Sequence, residues 1–488
     1  MKNKVATRFL LVLLAVCSVL SCFAACSNGK SNGTETTAVP DTTPPDLPYE
    51  LPIKDFDNAV VKILTPQPKR WQFDCEWWYN SDVLNIGLFN RDKKVEETLN
   101  CDLNYVYQEA NPEKGIEATF NEILTQEQLA QTDTYDLVFH ESHYGLDFKG
   151  FFYNLNDAEL STVVALDQPF YFAQRNEVST IDGILVSALS YASTEMMSSA
   201  TVTIFNHAWW NRLFDGNIYD YVYDGDWTLE LMTSMAKEAN VDINEDGMRL
   251  EEGDKFGLGY MHQTCMMFFA LGGQFFYKDT NGDLKYELIS DRNYTVHDTL
   301  YKLFHDNDCV YVPGYTEVSP AYRADQLLFT LGYFDCARVM KKDGAEDFGF
   351  LPIPKLNSSD EYHSVLGSST AVSIPRTVSD KMNSGILMNA YSYYSFEKVR
   401  PAYFDSLLKF QLSKDPDSSY VVDVCMNNLV FDFSIAYNVT LGYLGTKQWN
   451  LIYLHEEGQF VSTYLKLEET LNETFTALIE DFKINNAQ

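Results

Sequence analysis

The chain has 488 residues, 69 of them acidic and 36 basic, giving a formal charge of −33. A field of that sign repels phosphate backbones and anionic lipid surfaces, which excludes nucleic acid as a partner. Aromatic residues make up 14% of the sequence, enough to fill a large core and still leave rings to line a cleft.

Lys2, Lys4 and Arg8 form a positive n-region, and Phe9 to Leu20 is almost wholly apolar. That apolar run is about a dozen residues, short of the roughly 20 that a membrane-crossing helix needs. Small residues then lead to Ala24-Ala25-Cys26. The layout is that of a secretory signal peptide over 1–25. A cysteine directly after small residues resembles the bacterial lipobox, which implies lipidation at Cys26, with Cys22 as the alternative. Residues 26–50 are rich in Ser, Thr, Asn, Gly and Pro and read as a flexible tether. The implied location is the outer face of the cell membrane, with the membrane engaged through the lipid alone.

About 440 residues remain, room for two or three domains. Val60 to Leu64 reads as a first strand, followed by a loop carrying Trp71, Trp77 and Trp78. Helical spacing over 85–99 places Ile86, Phe89, Val95 and Leu99 on or near one face. A strand at 103–107, a helix at 115–130 and a strand at 135–139 complete a βαβαβ series, which implies a parallel sheet covered on both faces. Further helices are predicted at about 226–239, 293–306, 319–331, 378–397, 401–412 and 459–482. Short strands are predicted at 183–187, 201–205, 348–351 and 370–374, with a hairpin turn at Asn281-Gly282. The cysteines beyond Cys26 (Cys75, Cys101, Cys265, Cys309, Cys336 and Cys425) have neither CxxC nor metal-ligand spacing and read as buried thiols.

Several local patterns occur in a particular order: Tyr135-Asp136-Leu137-Val138, Gly150 to Leu155, Ile204-Phe205-Asn206 and Asp224-Gly225-Asp226-Trp227-Thr228. After them come Phe256-Gly257-Leu258 and Asp347 to Pro354. The series resembles the extracellular solute-binding lipoproteins of bacterial ABC importers, in the carbohydrate-binding group that includes maltose-binding protein. The resemblance implies an α/β, two-lobed, periplasmic-binding-protein-like (type II) fold with interwoven lobes. It assigns 51–144 and 295–346 to the N-terminal lobe, and 145–294 and 347–488 to the C-terminal lobe. A first crossover is implied near 140–150, with Tyr333 to Met340 as the strand returning to the first lobe. The implied function is capture of a small polar solute, a sugar or oligosaccharide, for delivery to ABC permease subunits. No enzymatic activity and no required cofactor are expected.

A sugar site needs flat aromatic faces and a few side chains that bond hydroxyls. Trp71, Trp77 and Trp78 supply the rings, and His140, Glu141, Ser142 and His143 in the loop after the third strand supply polar groups. The resemblance adds Tyr260, His262 and Gln263 from the second lobe, and position at a strand end adds Arg338. Trp209 and Trp210 read as core. Asp242, Asn244, Asp246 and the carbonyl of Met248 match the first half of a calcium loop, with Gly247 at its turn. Gly253 stands where the twelfth-position carboxylate belongs, and Asp254 is a substitute, so a structural Ca2+ is a candidate and a plain acidic turn is the alternative. A cell-surface glycoside hydrolase is the rival from another class, since it too needs rings and acids. No GxSxG, HExxH or phosphate-binding loop occurs.

Overall fold

The computed structural model describes residues 49–488, apart from 78–79, 244–253, 261–265, 312–325, 337–339, 341–346, 367–368, 405–415, 455–457 and 487–488. The first sheet is built from β1 (Ala59–Pro66), β2 (Cys101–Gln108) and β3 (Leu137–Glu141). β1 pairs in parallel with both β2 and β3. Parallel strands require helical crossovers, and the sequence supplies them as α1 (Asp82–Leu99) and α2 (Gly115–Ala130). The Ser81 hydroxyl caps α1 by accepting the Leu84 N–H at 3.2 Å, and Asn100 ends the helix in the left-handed region at φ 51°. Leu84, Leu88, Arg91, Val95 and Leu99 form its buried stripe. Ile86 and Phe89, expected near that stripe, are instead 59% and 53% exposed, because it is the Leu84–Leu88–Val95 row that faces the sheet.

The second sheet contains β4 (Thr201–Asn206), β5 (Phe256–Tyr260), β8 (Val310–Tyr311), β9 (Leu327–Tyr333) and β10 (Phe348–Leu351), in the order β10-β4-β9-β5-β8. A separate hairpin joins β6 (Phe276–Lys278) to β7 (Leu284–Tyr286) through the predicted Asn281-Gly282 turn. Two short strands, β11 (Ser364–Val365) and β13 (Leu429–Val430), pair with each other. β12 (Thr370–Ser373) closes the first sheet as an antiparallel partner of β3.

The lobes are interlaced differently from the sequence expectation. The stretch 295–346 sends both of its described strands, β8 and β9, into the second sheet, β9 between β4 and β5. The strand that returns to the first sheet is β12. The predicted helix over 319–331 also fails at its far end, because Leu327 to Tyr333 is this buried central strand. A short apolar run has no period that separates a buried strand from a buried helix. The first crossover comes later than 140–150 as well. Phe152 still bridges Pro375, and Ala188 bridges Val372 of β12, before the chain enters β4 at Thr201. Gly183 to Ser187 is loop rather than strand. The helix Lys381–Tyr394 then packs on α1, whereas Pro416–Asn427 packs on β10, so the last third of the chain serves both lobes.

Among the described residues no helix is long and apolar enough to cross a membrane. Cys101, Cys309, Cys336 and Cys425 are buried, Cys75 is partly buried, and Cys265 lies outside the described residues. Trp209 and Trp210 are buried, as expected of core residues. Of the calcium-loop candidates, Asn244, Asp246 and Met248 lie outside the described residues. Asp254 is buried, and its carboxylate accepts the Ile243 N–H at 3.2 Å.

Candidate functional site

In a parallel α/β sheet, ligand-facing side chains come from loops beyond the carboxyl ends of the strands. At that end of β1 the chain turns into a short 3-10 helix, Gln67–Gln72, which carries Lys69, Arg70, Trp71 and Gln72. At the same end of β3 stand Glu141, Ser142 and His143, and beside them β12 begins at Thr370, paired with Glu141. The fourth contributor is the helical turn Glu195–Ser198, on the crossover that leads into β4.

These groups form one polar cluster. The Lys69 ammonium donates to Glu141 Oε1 at 2.6 Å and to the Glu195 carboxylate. His143 Nδ1 lies 2.9 Å from Glu141 Oε2. Thr370 donates its hydroxyl proton to Glu195 Oε2 at 2.8 Å. Burial opposes charge on both Lys69 and Glu141, but their partners outweigh it. The two carboxylates hold the Lys69 ammonium above its ordinary range. The His143 hydrogen bond and the Lys69 charge hold the Glu141 carboxyl down at about 2. The cation is thus already matched by two acids, and the site offers an anionic solute no spare positive charge from Lys69.

The expected site residues separate into three groups. Glu141 and His143 pair at this end of the sheet, where the turn after β1 also carries the partly buried Trp71; the His143 side chain is 36% exposed. Trp77, His140 and Ser142 are committed to packing. The Arg70 guanidinium lies 5.5 Å from the Trp77 ring and 4.7 Å from that of Tyr107, bridging the two. His140 is wholly buried, stacked on Phe152 at 5.0 Å, with Nε2 3.0 Å from Ser373 Oγ. Burial pushes its pKa down, against the opposing charge of Asp147. Ser142 is buried and accepts from the Arg175 guanidinium at 2.5 Å. In the third group Trp78, His262, Gln263 and Arg338 lie outside the described residues, and of Tyr260 only the backbone is described, opposite Leu331 of β9.

Sequence reasoning missed Lys69, Gln72, Glu195 and Thr370. Two signals were present. One was the polar run Lys69-Arg70-Trp71-Gln72 directly after a strand. The other was Glu195 alone among the small hydroxyl residues Ser190, Ser193, Thr194, Ser198 and Ser199, a composition that buries an acid only where its hydrogen bonds are met.

No protein-family model and no curated protein sequence matches the chain. Solved structures do. An ABC substrate-binding protein of Listeria monocytogenes, in complex with cycloalternan, aligns over 85% of this chain and 100% of its own, with a TM-score of 0.53 and 13% identity. UgpB of Mycobacterium tuberculosis, in complex with glycerophosphocholine, aligns over 86% of this chain and 98% of its own, with a TM-score of 0.55 and 14% identity. Maltose-bound MalE3 of T. maritima aligns over 87% and 99%, with a TM-score of 0.50 and 9% identity. Two sheets joined by repeated crossovers, and near-complete alignment with these proteins, give the chain the two-lobed α/β fold of the solute-binding proteins of ABC importers.

Proposed function

We propose that this protein captures a neutral saccharide outside the cell and delivers it to the permease of an ABC importer, while a lipid on Cys26 holds it at the membrane. The observation that carries the reading is the cluster of Lys69, Glu141 and His143 at the carboxyl ends of β1 and β3, with the partly buried Trp71 on the same 3-10 turn as Lys69. A flat ring takes the C–H face of a pyranose, and a carboxylate accepts from its hydroxyls. Two of the similar solved structures are named with saccharides, cycloalternan and maltose, which supports the same class.

Calorimetric titration with maltose, maltotriose and cycloalternan tests it. Saturable binding of at least one is expected, with a thermal shift that grows as RT ln(1 + [L]/Kd). Trp71→Ala should weaken that binding by roughly tenfold or more, the scale on which a buried aromatic anchor acts. Binding by glycerophosphocholine and by none of the sugars would overturn the saccharide assignment. No turnover is expected of this cluster, because the general acid of a glycosidase must stay protonated and Lys69 and His143 hold Glu141 ionised. Release of shorter sugars in the same incubations would show the rival reading to be the right one.

The anchor has its own test. Cys26→Ser should move the protein from the membrane fraction to the medium. Retention in the membrane fraction by the Cys26→Ser, Cys22→Ser double variant would remove lipidation at either cysteine as the anchor.

A further inference from the structure

The chain passes between the two sheets in segments that run side by side. Ala188 bridges Val372 at the first sheet, and Ala200 bridges Leu366 where β4 begins. The first crossover thus meets the second at both of its ends, each time as an antiparallel neighbour.

One side chain of the first lobe holds both. Gln72 is wholly buried. Its carbonyl oxygen accepts the Glu195 N–H at 3.0 Å and the Ser193 hydroxyl at 2.9 Å. Its amide nitrogen donates to Thr370 Oγ at 3.0 Å and to Glu195 Oε2 at 3.4 Å. A carboxamide has two donors and two lone pairs, and here all four are used, three on Ser193 and Glu195 of one crossover and one on Thr370 of the other. Thr370 and Glu195, its partners on the two crossovers, are also bonded to each other. The immediate neighbour in sequence is Trp71, and Lys69, three residues earlier, grips the same Glu195.

We infer that Gln72 is a positioning residue: it locks residues 193–195 of the first crossover and Thr370 of the second to the Trp71 loop, so that these parts move as one body with the first lobe. Bending between the lobes is then confined to the second-lobe side of the bracket, on the β4 side of the Glu195–Ser198 turn. The reason is energetic. Each of these bonds sits in a site shielded from water, so rotating the crossovers against the loop would leave buried donors and acceptors unmet. Rotation beyond the bracket breaks none of them. The inference deepens the solute-capture reading, since contact with Trp71 would be passed to both crossovers through its neighbour, but its test needs no solute.

That test is amide hydrogen exchange on the full-length protein without ligand, comparing wild type, Gln72→Met and Thr370→Val. Gln72→Met keeps the volume and removes all four bonds. Exchange at 193–198 and 369–372 should rise roughly tenfold or more in Gln72→Met, and less in Thr370→Val, with Ile63, Leu64, Ile204 and Phe329 unchanged. Gln72→Glu should resemble Gln72→Met at neutral pH and regain protection as its carboxyl protonates, after correction for intrinsic exchange chemistry, because the acid form restores one donor and one acceptor. A merely space-filling Gln72 would show no such recovery. Unchanged exchange in the crossovers, or a uniform rise through both sheets, would overturn the inference. If Gln72→Met does not fold, Thr370→Val decides by the same criterion. Failure to bind any sugar would leave this result standing, so the two readings fail separately.

Discussion

Replacing Lys69 with Met should destabilise the fold by about 3–5 kcal/mol, the cost of leaving buried charge uncompensated. The Lys69 side chain is 19% exposed, and its two acidic partners, Glu141 and Glu195, are 7% and 9% exposed. Without the ammonium they become two adjacent carboxylates with little water to screen them. Their carboxyls should then take up protons more readily, so the deficit should shrink as the pH is lowered from 7 towards 5. Urea unfolding at both values measures this. A double variant, Lys69→Met with Glu195→Gln, should recover much of the loss by removing one of the stranded charges. Wild-type stability in Lys69→Met at pH 7 would show that the triad contributes nothing net.

Acid should weaken the protein well above the range in which carboxylates titrate, through His297. This side chain lies on the buried face of the helix Asp291–His305, packed 4.8 Å from the Phe460 ring. Burial pushes its pKa down to about 4, against the opposing charge of Asp298. The unfolded chain takes up this proton near 6.5 and the folded chain only near 4. Between those values the unfolded state binds more protons, so stability falls as the pH falls. The full window corresponds to about 3 kcal/mol, and pH 7 to 5 covers about 2 kcal/mol of it. His140 and His363, also pushed down by burial, act in the same direction. The readout is therefore the difference in slope between wild type and His297→Leu, and parallel slopes would contradict the assignment. Glu141 adds no slope in that interval, because its depressed pKa releases stability only below about 4.5.

Much of the first lobe was legible in the sequence. α1 and α2 carry strong helical spacing, and β1 to β3 alternate with them, so the parallel sheet followed from pattern alone. The interlacing did not. Whether Leu327 to Tyr333 joins the first or the second sheet depends on partners far away in sequence, and a uniformly apolar run names none of them. The site was half legible for a related reason. A polar residue at a strand end reads the same whether it meets solvent or core. His140 and Glu141 are neighbours on one strand, yet the first turns into the sheet's packing and the second towards Lys69. Gln72, between a partly buried tryptophan and a buried Phe73, gave no sign that two distant crossovers meet on it.

The described chain begins at Tyr49, whose ring packs 5.4 Å from Phe170 and 6.2 Å from Tyr393, and whose hydroxyl is bonded to Asn389 at 2.8 Å. Asn389 belongs to the helix that packs on α1, and Phe170 precedes the first crossover. Any pull arriving along the preceding residues is therefore delivered to the half that contains β1 to β3. If that half is the moored one, the half built on β4, β5 and β9 is left as the free arm.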